Sequence, residues 1–142
     1  MKIYLRKSDY DSILAHAISE LPDEACGLVA GTVQFEGEEE IRNIEKVYLL
    51  TNTDHSNEHF SLDPKEQLAS ITDMRKNNLK PLGNWHSHPE SPSRSSEEDI
   101  RLSFDKNANY LILSLMDRDN PVLNSFHVEN GISIKEELII FE

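Results

Sequence analysis

Two segments of this 142-residue chain combine residue types that do chemistry with a spacing that says which chemistry. Trp85-His86-Ser87-His88-Pro89 alternates as a strand does. Residues i and i+2 of a strand point to one side, so His86 and His88 present both imidazoles on one face, while Trp85 and Ser87 face the other way, where Trp85 can pack in the core. A polar loop follows, then Ser95-Ser96-Glu97-Glu98-Asp99, which places Asp99 in the first turn of a helix eleven residues beyond His88. A loop of that length can return the carboxylate to the two histidines. Two imidazoles and a carboxylate form a three-ligand zinc set with the fourth position open, the catalytic rather than the closed structural pattern. The second segment is also a good helix N-terminus in its own right. Ser95 with Glu98 makes a capping box, and three acids suit the positive end of the helix dipole. With Ser95 as the cap, the Ser96 hydroxyl and the Asp99 carboxylate project from the same side of the first turn.

Other zinc-enzyme and nucleophile signatures are missing. There is no His-Glu-x-x-His helix, no nucleophile elbow and no phosphate loop, and a single cysteine cannot supply the Pro-Cys-x-x-Cys half of a base deaminase. That cysteine, Cys26, sits between Ala25 and Gly27 ahead of Leu28-Val29-Ala30 and reads as a small core residue. Glu20, Asp23 and Glu24 follow the first helix, and residue type alone ranks them equally as a general base. His55 and His59 fall in a polar stretch, open to a substrate groove or simply to solvent. His16 and His127 belong to no pattern.

The elements that position these residues are legible from periodicity. Residues 2–6 read as a strand. A helix follows, with Ser8 and Asp11 as a weak capping box and Ile13, Leu14, Ala17, Ile18 and Leu21 on one face; Pro22 ends it. Residues 25–35 and 41–51 read as strands around a solvated Glu36–Glu40 hairpin loop, with Gly27 and Gly31 allowing close backbone approach. Asp63-Pro64-Lys65-Glu66 starts a second helix with Asp63 as N-cap, and Leu68, Ile71 and Met74 supply its apolar stripe. Residues 82–88 form a strand, and a third helix carries Ile100, Leu102 and Phe104. Strands over 110–116, 122–128 and 132–141 close the chain, with Asn130-Gly131 as a hairpin turn. The reading is one α/β domain over residues 1–142, with helices interleaved among mainly antiparallel strands.

Composition limits the partners. The net charge of −12 repels a phosphate backbone, which excludes nucleic acid as a partner. Hydrophobic residues at 37% and charged residues at 28% fit a soluble globular domain. No apolar run approaches the roughly 18 residues of a membrane span, and the N-terminus lacks a signal peptide's apolar core. One cysteine fits a reducing cytosol, so the expected location is cytoplasmic.

His86-Ser87-His88, seven residues, Ser96, two residues and Asp99 resemble the JAMM (MPN-plus) metallopeptidase motif, His-x-His-x7-Ser-x2-Asp. Pro22-Asp23-Glu24-Ala25-Cys26-Gly27 is similar to that family's Pro-x-Glu-x-Cys-Gly segment, and Phe60-Ser61-Leu62-Asp63-Pro64 to a segment before its second helix. The likeness covers roughly residues 1–140, and two half-motifs in the right order are a far stronger signal than either alone. The resemblance implies a cytidine-deaminase-like α/β/α sandwich, with a mixed, mainly antiparallel sheet flanked by helices. It implies one zinc ion per chain on His86, His88 and Asp99, with Glu24 as general base and Ser96 as oxyanion donor. Chain-cleaving members carry insertions for which this chain has little room, so it looks like the compact prokaryotic branch. The implied substrate is a small ubiquitin-like or sulfur-carrier protein with an amide-linked group after its C-terminal Gly-Gly. The alternatives are a non-catalytic zinc-binding scaffold, known among inactive relatives of the fold, and a zinc hydrolase of small amides.

Overall fold

A computed structural model describes residues 1–142. In chain order the elements are β1 (Lys2–Arg6), α1 (Lys7–Ser19), β2 (Cys26–Glu36), β3 (Glu39–Leu50), α2 (Pro64–Lys76), β4 (Lys80–His88), α3 (Glu97–Arg101), β5 (Asn109–Ser114), β6 (Val122–Glu129) and β7 (Ile132–Phe141). The Asn130-Gly131 turn joins β6 and β7 with φ of 54° and 74°, the left-handed pair that a tight hairpin requires.

The sheet runs β1-β3-β2-β4-β5-β6-β7 and closes on itself. The open sheet of an α/β/α sandwich is therefore not what forms. Closure is the work of β1, which pairs in parallel with β3 through Lys2–Leu5 and with β7 through Lys2–Arg6, so neither neighbour is left as a free edge. The β4–β5 pair is also parallel and the remaining pairs are antiparallel, so the sheet is mixed.

Helices nonetheless lie on both faces of β2. Val29 points to one face, where Ile13 and Ala17 of α1 join Ile3, Leu5, Trp85 and Leu111 in the main core. Leu28 and Ala30 point to the other, where Met74 of α2 packs with Leu50. Trp85, fully buried, donates its indole N–H to the Tyr48 carbonyl at 3.0 Å.

Three local expectations are corrected. Helix α1 begins at Lys7 after Arg6 with no side-chain cap, so Ser8 lies inside the helix and caps nothing. Asp63 does cap α2 through the Lys65 N–H, but Leu68 turns outward, 68% exposed, and leaves the stripe to Ile71 and Met74. Helix α3 is only five residues long, and Leu102 and Phe104 fall beyond it, exposed.

Candidate metal centre

Strand β4 delivers His86 and His88 to the outer face, both buried, while Trp85 goes inward as the alternation requires. Asp99 arrives from α3. Its Oδ1 is 3.3 Å from His86 Nε2 and its Oδ2 is 3.1 Å from His88 Nε2. The ligand atoms of the three residues all lie within 4.8 Å of one another.

The cap that starts α3 is Ser96, not Ser95. Its Oγ accepts the Asp99 N–H at 3.0 Å, and Asp99 Oδ2 accepts the Ser96 N–H at 2.9 Å, a reciprocal capping box one residue later than the sequence suggests. The box fixes the carboxylate that meets the histidines. Because the Ser96 hydroxyl accepts in the box, its own O–H remains available to donate.

His88 is oriented by a carbonyl. Its Nδ1 lies 2.8 Å from Pro92 O, which can only accept, so Nδ1 carries the hydrogen. Nε2, 3.1 Å from Asp99 Oδ2, donates to that carboxylate when the ring is protonated and offers a lone pair to a cation when it is neutral. That Nε2 is also 3.1 Å from His86 Nε2. Two ring nitrogens and a carboxylate converging in this way fit a metal cation, with Pro92 fixing the tautomer from behind. Burial pushes the His86 pKa down despite the Asp99 carboxylate. At His88 burial acts the same way, but the hydrogen bonds to Asp99 and Pro92 prevail and the net shift is upward. Burial opposes ionisation of Asp99 too, yet the hydrogen bonds from both histidines hold its carboxyl well below the usual carboxylate range.

Of the three acids that residue type ranked equally, the structure buries Glu24 alone, at 4% exposure. Its Oε1 is buried without a partner. Burial raises its pKa to about 8, opposed by the charge of His88 and reinforced by that of Asp99, so the carboxyl is electrostatically coupled to the histidine–aspartate cluster. Glu20 faces His16 instead, 3.9 Å away.

Several positioning residues are visible only in the structure. Ser87 Oγ accepts the Ala25 N–H at 2.8 Å and the Ser87 N–H donates to Ala25 O at 3.0 Å, which fastens the Glu24 segment to β4. Asn52, buried, donates to the carbonyls of Glu24 and His59 and accepts from the N–H groups of Asp54 and Ser61. Phe60 stacks on His86 with ring centroids 4.7 Å apart. Phe60 lay in a motif already noted, whereas Asn52 had no sequence signal. His59 lines a cavity of about 300 Å³ that His86 also lines and lies 3.0 Å from Asp54 Oδ2, and His55 is exposed in the loop. Cys26 is a buried core residue, its thiol pushed up to about 12 by burial and by nearby acids. No helix is long and apolar enough to cross a membrane.

Comparison with known proteins gives this geometry a family. A Mycobacterium tuberculosis protein named CysO-cysteine peptidase is 29% identical over 140 residues, covering 99% of this chain and 92% of its own length. A Thermus thermophilus protein named "Probable TtuB-protein conjugate cleaving protease" is 29% identical over 100 residues, 70% of this chain and 62% of its own. The solution structure of a Desulfitobacterium hafniense protein superposes with a TM-score of 0.85 at 46% identity, covering 99% of this chain and 92% of that one. The family described as prokaryotic homologs of the JAB domain matches residues 6–128, a span that holds every residue of the metal centre, and the chain belongs to that family.

Proposed function

We propose that this protein is a zinc-dependent peptidase that hydrolyses the amide bond after the C-terminal Gly-Gly of a small ubiquitin-like or sulfur-carrier protein. The observation that carries the reading is the pairing of a three-donor centre with Glu24, a buried acid that is not one of the donors. A scaffold has no use for such a group. Relatives named for cleaving CysO–cysteine and TtuB–protein conjugates support a carrier conjugate as substrate.

His86, His88 and Asp99 would hold the zinc, which when bound supplies Lewis-acid polarisation of a carbonyl and acidifies water. Glu24 accepts the proton of the attacking water and delivers it to the leaving amine, and its buried Oε1, which no protein group occupies, is free for both transfers. Ser96 donates its free O–H to the oxyanion as it forms. Two glycines suit the approach, because a tail without side chains can thread a narrow groove and bring its last carbonyl to the centre.

The test is mass spectrometry of a carrier protein bearing one amino acid amide-linked after Gly-Gly. Zinc-loaded wild type is expected to remove that amino acid. Glu24→Gln should keep zinc and fold while hydrolysis is nearly abolished, and the His86→Ala, His88→Ala double variant should lose both metal and activity while remaining folded. Equal cleavage by wild type and Glu24→Gln removes Glu24 from the mechanism. Failure of wild type on every Gly-Gly adduct overturns the reading in favour of a scaffold or a small-amide hydrolase.

A further inference from the structure

The cavity beside His86 does not end there. Gln67, Asn84 and Tyr110 line both it and a second cavity of about 390 Å³, which continues between α2 and residues 105–108 toward Lys80 and Pro81. The groove thus follows the outer face of β4, where the run from Lys80 to His86 spans about 20 Å at the rise of a strand. A leaving group of one amino acid needs no such length; the chain on the other side of the scissile bond does.

An extended peptide lying in this groove gives up water from its backbone N–H and C=O groups, and each needs a new partner. Strand addition to β4 cannot supply them, because β4 is already hydrogen-bonded to β2 on one side and β5 on the other. Side chains along the groove can supply them instead. The hydroxyls along the groove are committed: Ser61 donates to Asp54, Ser103 to the Asp99 carbonyl, Tyr110 to the Asp105 carbonyl, and Ser95 shares its hydrogen with Ser133. The side-chain amides of half-buried Asn84 and exposed Gln67 make no hydrogen bond within the protein. Each offers a donor and an acceptor, the same pair that a peptide unit presents. Asn84 precedes His86 by two residues on the same face of β4, about 7 Å along the strand. That is also the length of two residues of extended peptide.

We propose that Asn84 and Gln67 form a clamp on the backbone of the substrate's extended C-terminal tail, holding the peptide unit about two residues before the bond that is cleaved at the His86–His88–Asp99 centre. The clamp reads backbone rather than side chain, so it fits a glycine-rich tail. It rests on the peptidase reading above, and the experiment separates the two.

The substrates are a six-residue tail peptide ending in Gly-Gly with an amide-linked amino acid, and its analogue in which the amide N–H two residues before the scissile carbonyl is replaced by an ester oxygen. Asn84→Ala and Gln67→Ala are each expected to raise KM about fivefold to tenfold while kcat stays within about threefold, the cost of one hydrogen bond to a bound substrate. The ester should cost wild type a similar factor and cost Asn84→Ala nothing further, because the contact is already gone. Unchanged KM in both variants, or an ester penalty that is the same in wild type and both variants, overturns the clamp. If wild type cleaves neither peptide, the peptidase reading fails, and fluorescence anisotropy of the labelled tail peptide decides the clamp. Weaker binding to Asn84→Ala than to wild type supports it; equal binding or none overturns it.

Discussion

Glu24 illustrates how burial moves the titration of an ordinary acid toward neutrality. Its backbone N–H donates to Ser56 O at 2.7 Å and its carbonyl accepts from Asn52, so the backbone that carries the buried carboxyl is held. Burial raises the pKa from 4.5 to about 8 in the metal-free protein. The folded state therefore keeps a proton that the unfolded chain releases. The contribution to stability is complete below about pH 4.5 and is lost as pH rises toward 8. Metal-free wild type is expected to weaken across that window, by at most about 1.4 kcal/mol per pH unit, and Glu24→Gln to show a flatter profile. Denaturant melts in a chelator between pH 5 and 8 check this, and identical slopes for the two proteins would refute it. Residue type could not single out Glu24, because Glu20 and Asp23 differ from it only in contacts made with segments some thirty residues away. The family motif could, since it fixes one position by its distance from Cys26 and Gly27.

Among the elements, α3 is the most exposed to a single change. It has five residues, none of them buried, so packing holds it weakly and its place depends on the Ser96–Asp99 box and on Ser103 donating back to Asp99 O. Ser96→Ala is expected to cost about 1 kcal/mol of stability. It should also lower kcat by about 10²–10³ if the hydroxyl is the oxyanion donor. Ser96→Asp separates the roles: aspartate is as good a cap but has no hydrogen to donate at neutral pH, so stability should return while kcat stays low. Recovery of both in denaturant melts and single-turnover kinetics would reduce Ser96 to a cap. The start of this helix was legible but its register was not. Ser95 with Glu98 and Ser96 with Asp99 are equivalent boxes in sequence; in the fold the two histidines engage Asp99 and Ser133 engages the Ser95 hydroxyl. In the same way Leu68 reads as part of the α2 stripe, yet the helix is rotated so that Met74 and Ile71 face Leu28 and Leu50. Strands fared better, because period-2 alternation and the Asn130-Gly131 turn are strictly local signals.

For the molecule as a whole, closure of the sheet was the feature least visible in sequence. The pairing of Lys2–Arg6 with Glu137–Phe141 joins segments more than 130 residues apart, and nothing local specifies it. The barrel is pinned by a buried polar relay at the end of β5 away from Ser114, the residue that pairs with His88. Arg42 of β3 donates to Asn109 Oδ1 at 2.8 Å, Asn109 Nδ2 donates to Glu136 of β7 at 3.0 Å, and Ser125 of β6 donates to the same carboxylate at 2.8 Å. Asn109, 1% exposed, is the only neutral link between the cation and the anion, and its amide serves both at once. Asn109→Ala removes two hydrogen bonds to charged groups and leaves both ions buried with fewer partners, at an expected cost of about 2–4 kcal/mol. In a chain of this size that corresponds to a fall in Tm of about 7–13 °C. The proposed metal centre lies at the other end of β4 and β5, so zinc content and kcat at a temperature where the variant is folded should match wild type. Calorimetry with elemental analysis checks both halves. A Tm within about 2 °C of wild type would show that the four strands hold together without the relay, and a loss of zinc would show that the two ends of the barrel are coupled.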